Sequence, residues 1–287
     1  MEWFTDTHMA WAALLGLVVG SFLNVVIYRL PLMMQAQWDA ECAQHAATQQ
    51  GQPVIAPPSS RLTLSHPRSH CPHCRYPIAW YDNLPITSWL WLRGQCRHCQ
   101  QRISVRYPGV ELTTAFLFIW CIHHWGTTPT GWAWCGFSAS LLTLAMIDWD
   151  TTYLPDSITL PLLWAGLLAS ALGWIATPLH DAIWGAAAGY LSLWSVYWLF
   201  KLITGKEGMG YGDFKLFAAL GAWLGWQALV PMMLIASISG AAVGISLQLR
   251  NRLREGGYIP FGPFLAAAGF AAMLLDADHI FNTLLGA

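Results

Sequence analysis

Stretches without a single Lys, Arg, Asp or Glu recur along almost the whole chain, and they confine it to a fold that lives in a lipid bilayer. Such stretches cover residues 9–28, 112–147, 158–179, 182–200, 228–249 and 261–275, and one more run, 214–226, carries only Lys215. A helix needs roughly 20 apolar residues to cross the hydrocarbon, and fewer where it is packed inside a bundle. The run 112–147 is interrupted by the Gly, Thr and Pro residues of 126–131, which predicts two spans there and eight in all. Composition agrees: 10% of the 287 residues are charged and 18 are Trp, whereas about a quarter of the residues of a soluble domain are charged. The expected fold is all-α, a polytopic membrane helix bundle of about eight spans.

Positive residues collect in short cytoplasmic loops. With the N-terminus outside and the spans counted alternately, all 14 Lys and Arg fall on the inner side: the eight arginines from Arg29 to Arg106, then Lys201, Lys206 and Lys215, then Arg250, Arg252 and Arg254. If the short run 214–226 did not span, the last cluster would move outside. The first run has no basic leading region and ends at Arg29 rather than at a small-residue cleavage site, so it is expected to stay as a helix and not to be removed as a signal peptide. A net charge of −1 leaves no excess for nucleic acid, and topology accounts for the basic residues.

These boundaries predict a first transmembrane helix over residues 1–30, a cytoplasmic domain over 31–110 and a transmembrane bundle over 111–287. The first half of the cytoplasmic stretch, rich in Gln, Ala and Pro, predicts a short helix and then a linker. Four GxxxG pairs fall in the spans, at Gly16/Gly20, Gly185/Gly189, Gly221/Gly225 and Gly240/Gly244. Small residues four apart let helix backbones approach, so these are expected to be packing seams. No long-period repeat is visible.

The chemistry begins at CPHC and CRHC, where Cys71 and Cys74 are followed after 21 intervening residues by Cys96 and Cys99. Two such knuckles bring four thiolates around one tetrahedral ion and leave no open position, which predicts structural zinc. Two disulfides are the competing reading, disfavoured because the predicted topology puts these residues in the reducing cytosol. His70, His73 and His98 sit beside the thiols and are expected on the surface. A nucleic-acid-binding ribbon would need a dense basic patch that is absent here. Cys42, Cys121 and Cys135 have no partner pattern.

Aspartates stand at two predicted inner boundaries, in LAMIDWDTTYLPD and in GYGDFKLF. Carboxylates from different helices can meet there, and a close pair cannot ionise together, so one holds a proton while the other acts as base. That arrangement activates water against a peptide carbonyl. The glycines before Asp213 would let backbone come close and place the carboxylate at a helix N-terminus, where the dipole favours negative charge. Caps and interfacial charges would look the same: Asp156 is expected to cap the next helix and Asp150 to be an exposed loop charge. Spacing does not choose among Asp148, Asp150 and Asp156.

GSFLNVVIYRLP (residues 20–31), the double CxxC, ISVRYPGVELTTA (103–115), MIDWDTTYLPD (146–156), GMGYGDFKLFAALGAWLGW (208–226) and PFGPFLAAAG (260–269) together resemble the type IV prepilin peptidases. The resemblance implies a GxGD aspartic peptidase of the bacterial inner membrane, with its zinc domain and active site on the cytoplasmic side. It implies cleavage of the leader of prepilins and type II secretion pseudopilins after glycine, followed by methylation of the new N-terminus from S-adenosylmethionine. Asp148 and Asp213 match the family's catalytic aspartates. Glu111, Arg106 and Asn24 lie in family motifs and are candidates for the methyl-donor site, which no glycine-rich nucleotide fingerprint marks. Each also has a plainer role: helix-dipole partner for Glu111, inner-face anchor for Arg106, interhelical hydrogen bond for Asn24. Competing functions are a GxGD peptidase without methyl transfer and a transporter that couples ions through Asp148 and Asp213. A transporter would place such groups at midplane within inverted repeats, and no repeat is seen.

Overall fold

Each charge-free run becomes a helix because its backbone hydrogen bonds have no water to turn to inside a bilayer. The computed structural model describes residues 2–49, 62–206, 208–250 and 259–275. The predicted linker after Gln49 and the cluster at Arg252 and Arg254 lie outside the described residues. The long helices are α1 (Glu2–Gln49), α3 (Arg106–Trp125), α4 (Pro129–Thr151), α5 (Asp156–Ala171), α6 (Leu179–Thr204), α7 (Tyr211–Leu224), α8 (Leu229–Leu249) and α9 (Gly262–Leu275), with the short α2 (Thr87–Trp91) between α1 and α3. They stand at the eight predicted positions. Among the described residues there is no β-strand, only two isolated bridges. Four of the helices, α1, α4, α6 and α8, are long and apolar enough to cross a membrane, and α5 and α9 are shorter apolar helices.

The chain divides into two compact units, residues 1–123 and 124–287. In the first, α1 continues well beyond the apolar run, through Pro31 to Gln49. The expected short separate helix is thus a continuation of α1. Its Ala, Gln and Glu residues are strong helix formers and carry the helix past a proline that removes one backbone bond. Gly16 and Gly20 face α3 so closely that a Cβ would meet the Cα of Ala115 at 2.6 Å and of Glu111 at 2.7 Å. This is the first packing seam.

In the second unit α7 is the core. From Asp213 to Trp223 nearly every residue is buried, because α5, α6, α8 and α9 all pack against it. Its 14 residues span about 21 Å at 1.5 Å per residue, less than the hydrocarbon, which suits a helix shielded by neighbours. Against α6, Gly185 abuts the backbone of Gly221, and a Cβ at Gly189 would meet the Phe217 carbonyl at 2.7 Å. Two GxxxG seams therefore interlock. Gly240 packs on the Phe264 ring and Gly244 on Ile259, joining α8 to the α9 end. The buried Trp223 indole donates to the Leu162 carbonyl at 2.8 Å, with Gly166 beneath the ring. A buried N–H on the core helix is thereby satisfied.

The predicted break between α3 and α4 is present: Gly126 takes a left-handed φ of +69°, and α4 starts with Thr128 as N-cap, its hydroxyl accepting from the Gly131 N–H at 3.3 Å.

Candidate active site and metal centre

Asp148 and Asp213 come together in the second unit, brought there by three helix ends. Asp148 lies in the last turn of α4, which ends when Thr152 turns left-handed with φ +56° and its N–H bonds to the Asp148 carbonyl. Asp213 is the third residue of α7, behind the N-cap Gly210. The third end is the start of α9, where the Gly262 N–H donates to Asp148 Oδ2 at 2.9 Å. Both carboxylates are buried, at 4% and 8% exposure, and the charge of Asp148 acts on Asp213. Asp213 Oδ1 is buried with no hydrogen-bond partner among the described residues. Two helix N-termini thus direct their positive ends at a carboxylate pair.

Leu154 is the wedge that sets this spacing. A Cβ on Gly212 would meet Leu154 Cβ at 2.8 Å, and one on Gly262 would meet Asp148 Oδ2 at 2.5 Å and Leu154 Cδ1 at 3.3 Å. Neither glycine has a positive φ. They serve close approach, which for Gly212 is the role expected of the GYG segment. Gly262 was missed as a site residue; the signal available for it was its place in the PFGPF motif.

The other two aspartates stand apart. Asp156 is not the N-cap of α5; that position is Pro155, without a side-chain cap. Its carboxylate instead pairs with Lys215 Nζ at 2.6 and 2.7 Å, tying α5 to α7. Asp150 is exposed as expected, but on the last turn of α4 rather than in a loop.

In the first unit the four thiols of Cys71, Cys74, Cys96 and Cys99 lie within 4.8 Å of one another. Cys71 and Cys99 are 3.8 Å apart, the edge of a tetrahedron with metal–sulfur bonds of about 2.3 Å, and too long for a disulfide. The two knuckles are copies at an offset of 25 residues. Cys71 N–H bonds to Tyr76 O and Cys96 N–H to Gln101 O; Arg75 N–H bonds to Cys71 O and Gln100 N–H to Cys96 O. Arg75 and Gln100 share a φ of +56°, and the bridge between His70 and Pro77 matches that between Gln95 and Arg102. SHCPHCRYPI and GQCRHCQQRI are thus two copies of a short local repeat.

The donor set suits a metal ion. Backbone N–H groups of Cys74 and His73 draw Cys71 down to about 6. Cys99, although it receives the Gln101 N–H, is pushed up to about 11 by burial and by the thiols of Cys96, Cys74 and Cys71. Four thiolates at this separation need a cation to coexist. The histidines stay outside: His98 stacks on Tyr76 at 4.5 Å, and His70 Nδ1 contacts the Arg68 carbonyl. Arg97 grips Asp82 through both oxygens, fastening the second knuckle to the 80–83 turn.

The three donor-site candidates are also in this unit. Asn24 Nδ2 donates to the Tyr107 carbonyl at 3.1 Å, the interhelical bond expected for it. Glu111, buried at 7% exposure, accepts the Ile86 N–H on Oε2 at 2.8 Å and so pins the α2 loop to α3. Arg106 opens α3, its N–H on the Ser104 hydroxyl.

Comparison with known proteins divides the chain similarly. The model of the bacterial peptidase A24 N-terminal domain matches residues 14–125, which contain the thiol cluster. The model of the type IV leader peptidase family matches residues 135–245, which contain both aspartates. A protein of Aeromonas salmonicida (strain A449) is 52% identical over 91% of this chain and 88% of its own. One from Burkholderia pseudomallei (strain 1026b) is 48% identical over 98% of this chain and 89% of its own. A third, from Pseudomonas aeruginosa, is 50% identical over 95% and 91%. Each carries the name prepilin leader peptidase/N-methyltransferase. No solved structure matches significantly. On the strength of these identities over nearly its whole length, the chain belongs to the type IV leader peptidase family.

Proposed function

We propose that this protein is a membrane-embedded aspartic endopeptidase that removes the leader of prepilins and related pseudopilins, and then N-methylates the residue it exposes. The observation that carries the first activity is the buried pair Asp148 and Asp213, held by three helix ends, with Asp213 Oδ1 unpartnered. In such a pair one carboxyl holds a proton and the other does not. The ionised group takes a proton from water, whose oxygen adds to the scissile carbonyl carbon; the protonated group donates to the carbonyl oxygen. Collapse of the tetrahedral adduct breaks the C–N bond, and the leaving amine takes up the proton first drawn from water. The Gly262 N–H holds Asp148 in one rotamer throughout, so the pair is set before substrate arrives.

The substrate class suits this position. A prepilin joins a basic leader to an apolar helix, which puts the scissile bond at the edge of the bilayer. Asp148 ends one helix and Asp213 begins another, so both stand at a helix boundary rather than mid-span. The distribution of Lys and Arg supports placing that face, and the thiol domain, on the cytoplasmic side of a bacterial inner membrane. Zinc is the ion assigned to Cys71, Cys74, Cys96 and Cys99: with four thiolates and no open position its role is structural. S-adenosylmethionine is the methyl donor. The relatives named above carry both activities in their name, which supports the second activity here.

The test is the intact mass of a purified prepilin after incubation with the detergent-solubilised protein, with and without S-adenosylmethionine. The expected product lacks the leader and, with donor present, gains one methyl group. Uncut substrate under all conditions would remove the peptidase reading; cut but never methylated product would leave only the first activity.

A further inference from the structure

A cavity of about 790 Å³ opens within the first unit, inside the size range of small-molecule sites. Two helix faces form it. Ser21, Asn24 and Tyr28 on α1 are spaced three and four apart, and Tyr107 and Glu111 on α3 four apart, so each set lines one side of its helix. Trp89 of α2 adds a further wall. Its indole donates to the Ile103 carbonyl at 3.4 Å and lies beneath Gly94, so it is fixed. Arg29, which also lines the space, donates to the carbonyls of Thr63 and Leu64.

The chemistry of the lining selects a ligand. Glu111 contributes a buried carboxylate that meets the Ile86 N–H and the Ser21 hydroxyl, and among the described residues it forms no ion pair with Lys, Arg or His. A buried carboxylate of this kind favours a ligand that brings its own positive charge. Tyr28, Tyr107 and Trp89 offer aromatic faces, which attract a cation and accept a flat heterocycle. Asn24, having given an amide hydrogen to Tyr107, keeps its oxygen to accept from an amino or hydroxyl group. The lining also holds Arg29, Arg68, Arg97 and Arg102, with Asp82 as the second acid, so it suits a ligand that carries a carboxylate as well as a cation, whereas a lipid tail would leave these charges unmatched.

We propose that this cavity is the S-adenosylmethionine site, with Glu111 beside the sulfonium and the aromatic walls around the adenine. The placement rests on the methyl-transfer reading above. In the transfer the lone pair of the new N-terminal amine forms the N–C bond, the C–S bond breaks toward sulfur, which becomes a neutral thioether, and the ammonium proton passes to solvent. Arg106, which does not line the cavity, has no part in donor binding.

The test is equilibrium binding to the full-length protein in detergent, measured with S-adenosylmethionine and with S-adenosylhomocysteine, which lacks only the methyl group and the sulfonium charge. For Glu111→Gln, affinity for S-adenosylmethionine is expected to fall at least about tenfold, while that for the neutral thioether changes less than about threefold, the signature of a lost charge contact. Val25→Trp fills the cavity from α1 and should abolish binding of both; Arg106→Gln should bind both as wild type does. Melting temperature and metal content confirm that each variant is folded. Unchanged S-adenosylmethionine affinity in folded Glu111→Gln or Val25→Trp overturns the placement, as does Glu111→Gln weakening both ligands equally. If wild type binds and methylates while the variants bind normally, only the placement fails; if wild type neither binds donor nor methylates, the methyl-transfer reading fails with it.

Discussion

The thiol cluster and the aspartate pair are both four- or two-residue constellations on one chain, but they are built in opposite ways. Each thiol knuckle is made by hydrogen bonds no more than nine residues apart, repeated 25 residues later, so most of its geometry is present in ten residues of sequence. The aspartates stand 65 positions apart, and the group that orients Asp148 lies 114 positions away. Their geometry exists only once α4, α7 and α9 have packed. The first site is therefore assembled by local turns into a cluster that could hold an ion, the second by the helix bundle itself.

The widest separation between the two regions should appear on disabling their chemistry. Asp148→Asn and Asp213→Asn are each expected to lower leader cleavage by at least about 10³-fold, since each removes one half of the acid–base pair, while leaving the metal content at one equivalent. Initial rates on a purified prepilin, with zinc assayed on the same sample, check both halves. A variant that still cuts at a tenth of the wild-type rate would shift the role to Asp150, the remaining exposed carboxylate of the α4 end.

Removing the ion should do the reverse. Structural zinc is worth about 10–16 kcal/mol in small thiolate domains, so Cys71→Ser or a strong chelator should drop metal below one equivalent and open residues 62–105 to protease. The helices of the second unit should remain protected. One full equivalent of zinc in Cys71→Ser would break the four-thiolate assignment.

The same contrast explains what was legible in the sequence. The eight helices were, because a bilayer demands charge-free runs, and so were the four thiols, whose spacing states their geometry. The GxxxG pairs were legible as seams for the same reason of short period. Gly262 was not: nothing local shows that its N–H and its missing Cβ serve a carboxylate on a helix far away in sequence. Asp156 reads as a cap by propensity, yet the cap position went to Pro155 and its charge to Lys215, a partner fixed by how α5 and α7 pack. The extension of α1 was obscured by Pro31, which breaks helices locally but not when strong helix formers follow.

Backbone approach sharpens the point at intermediate cost. Gly262→Ala would drive a methyl group into Asp148 Oδ2 and Gly212→Ala one into Leu154; overpacking of this kind costs about 1–3 kcal/mol. Both variants should melt earlier, but Gly262→Ala should also lose cleavage by about tenfold or more, because it displaces the carboxylate itself. Equal losses of stability with wild-type rates in both would show that the α9 end packs against the site without orienting it.

The smallest effect is expected at the ion pair between Asp156 and Lys215. Their side chains are 52% and 29% exposed, and such pairs contribute about 0–1 kcal/mol. Asp156→Asn should therefore shift the melting temperature by a few degrees at most and leave cleavage within about twofold. The outcome is informative precisely where sequence spacing was not: Asp156 follows the same helix end as Asp148 and carries the same group, yet its charge already belongs to Lys215 at the start of α7. A large loss of cleavage in Asp156→Asn would mean that this pair, and not helix packing alone, holds α7 in the register that brings Asp213 to Asp148.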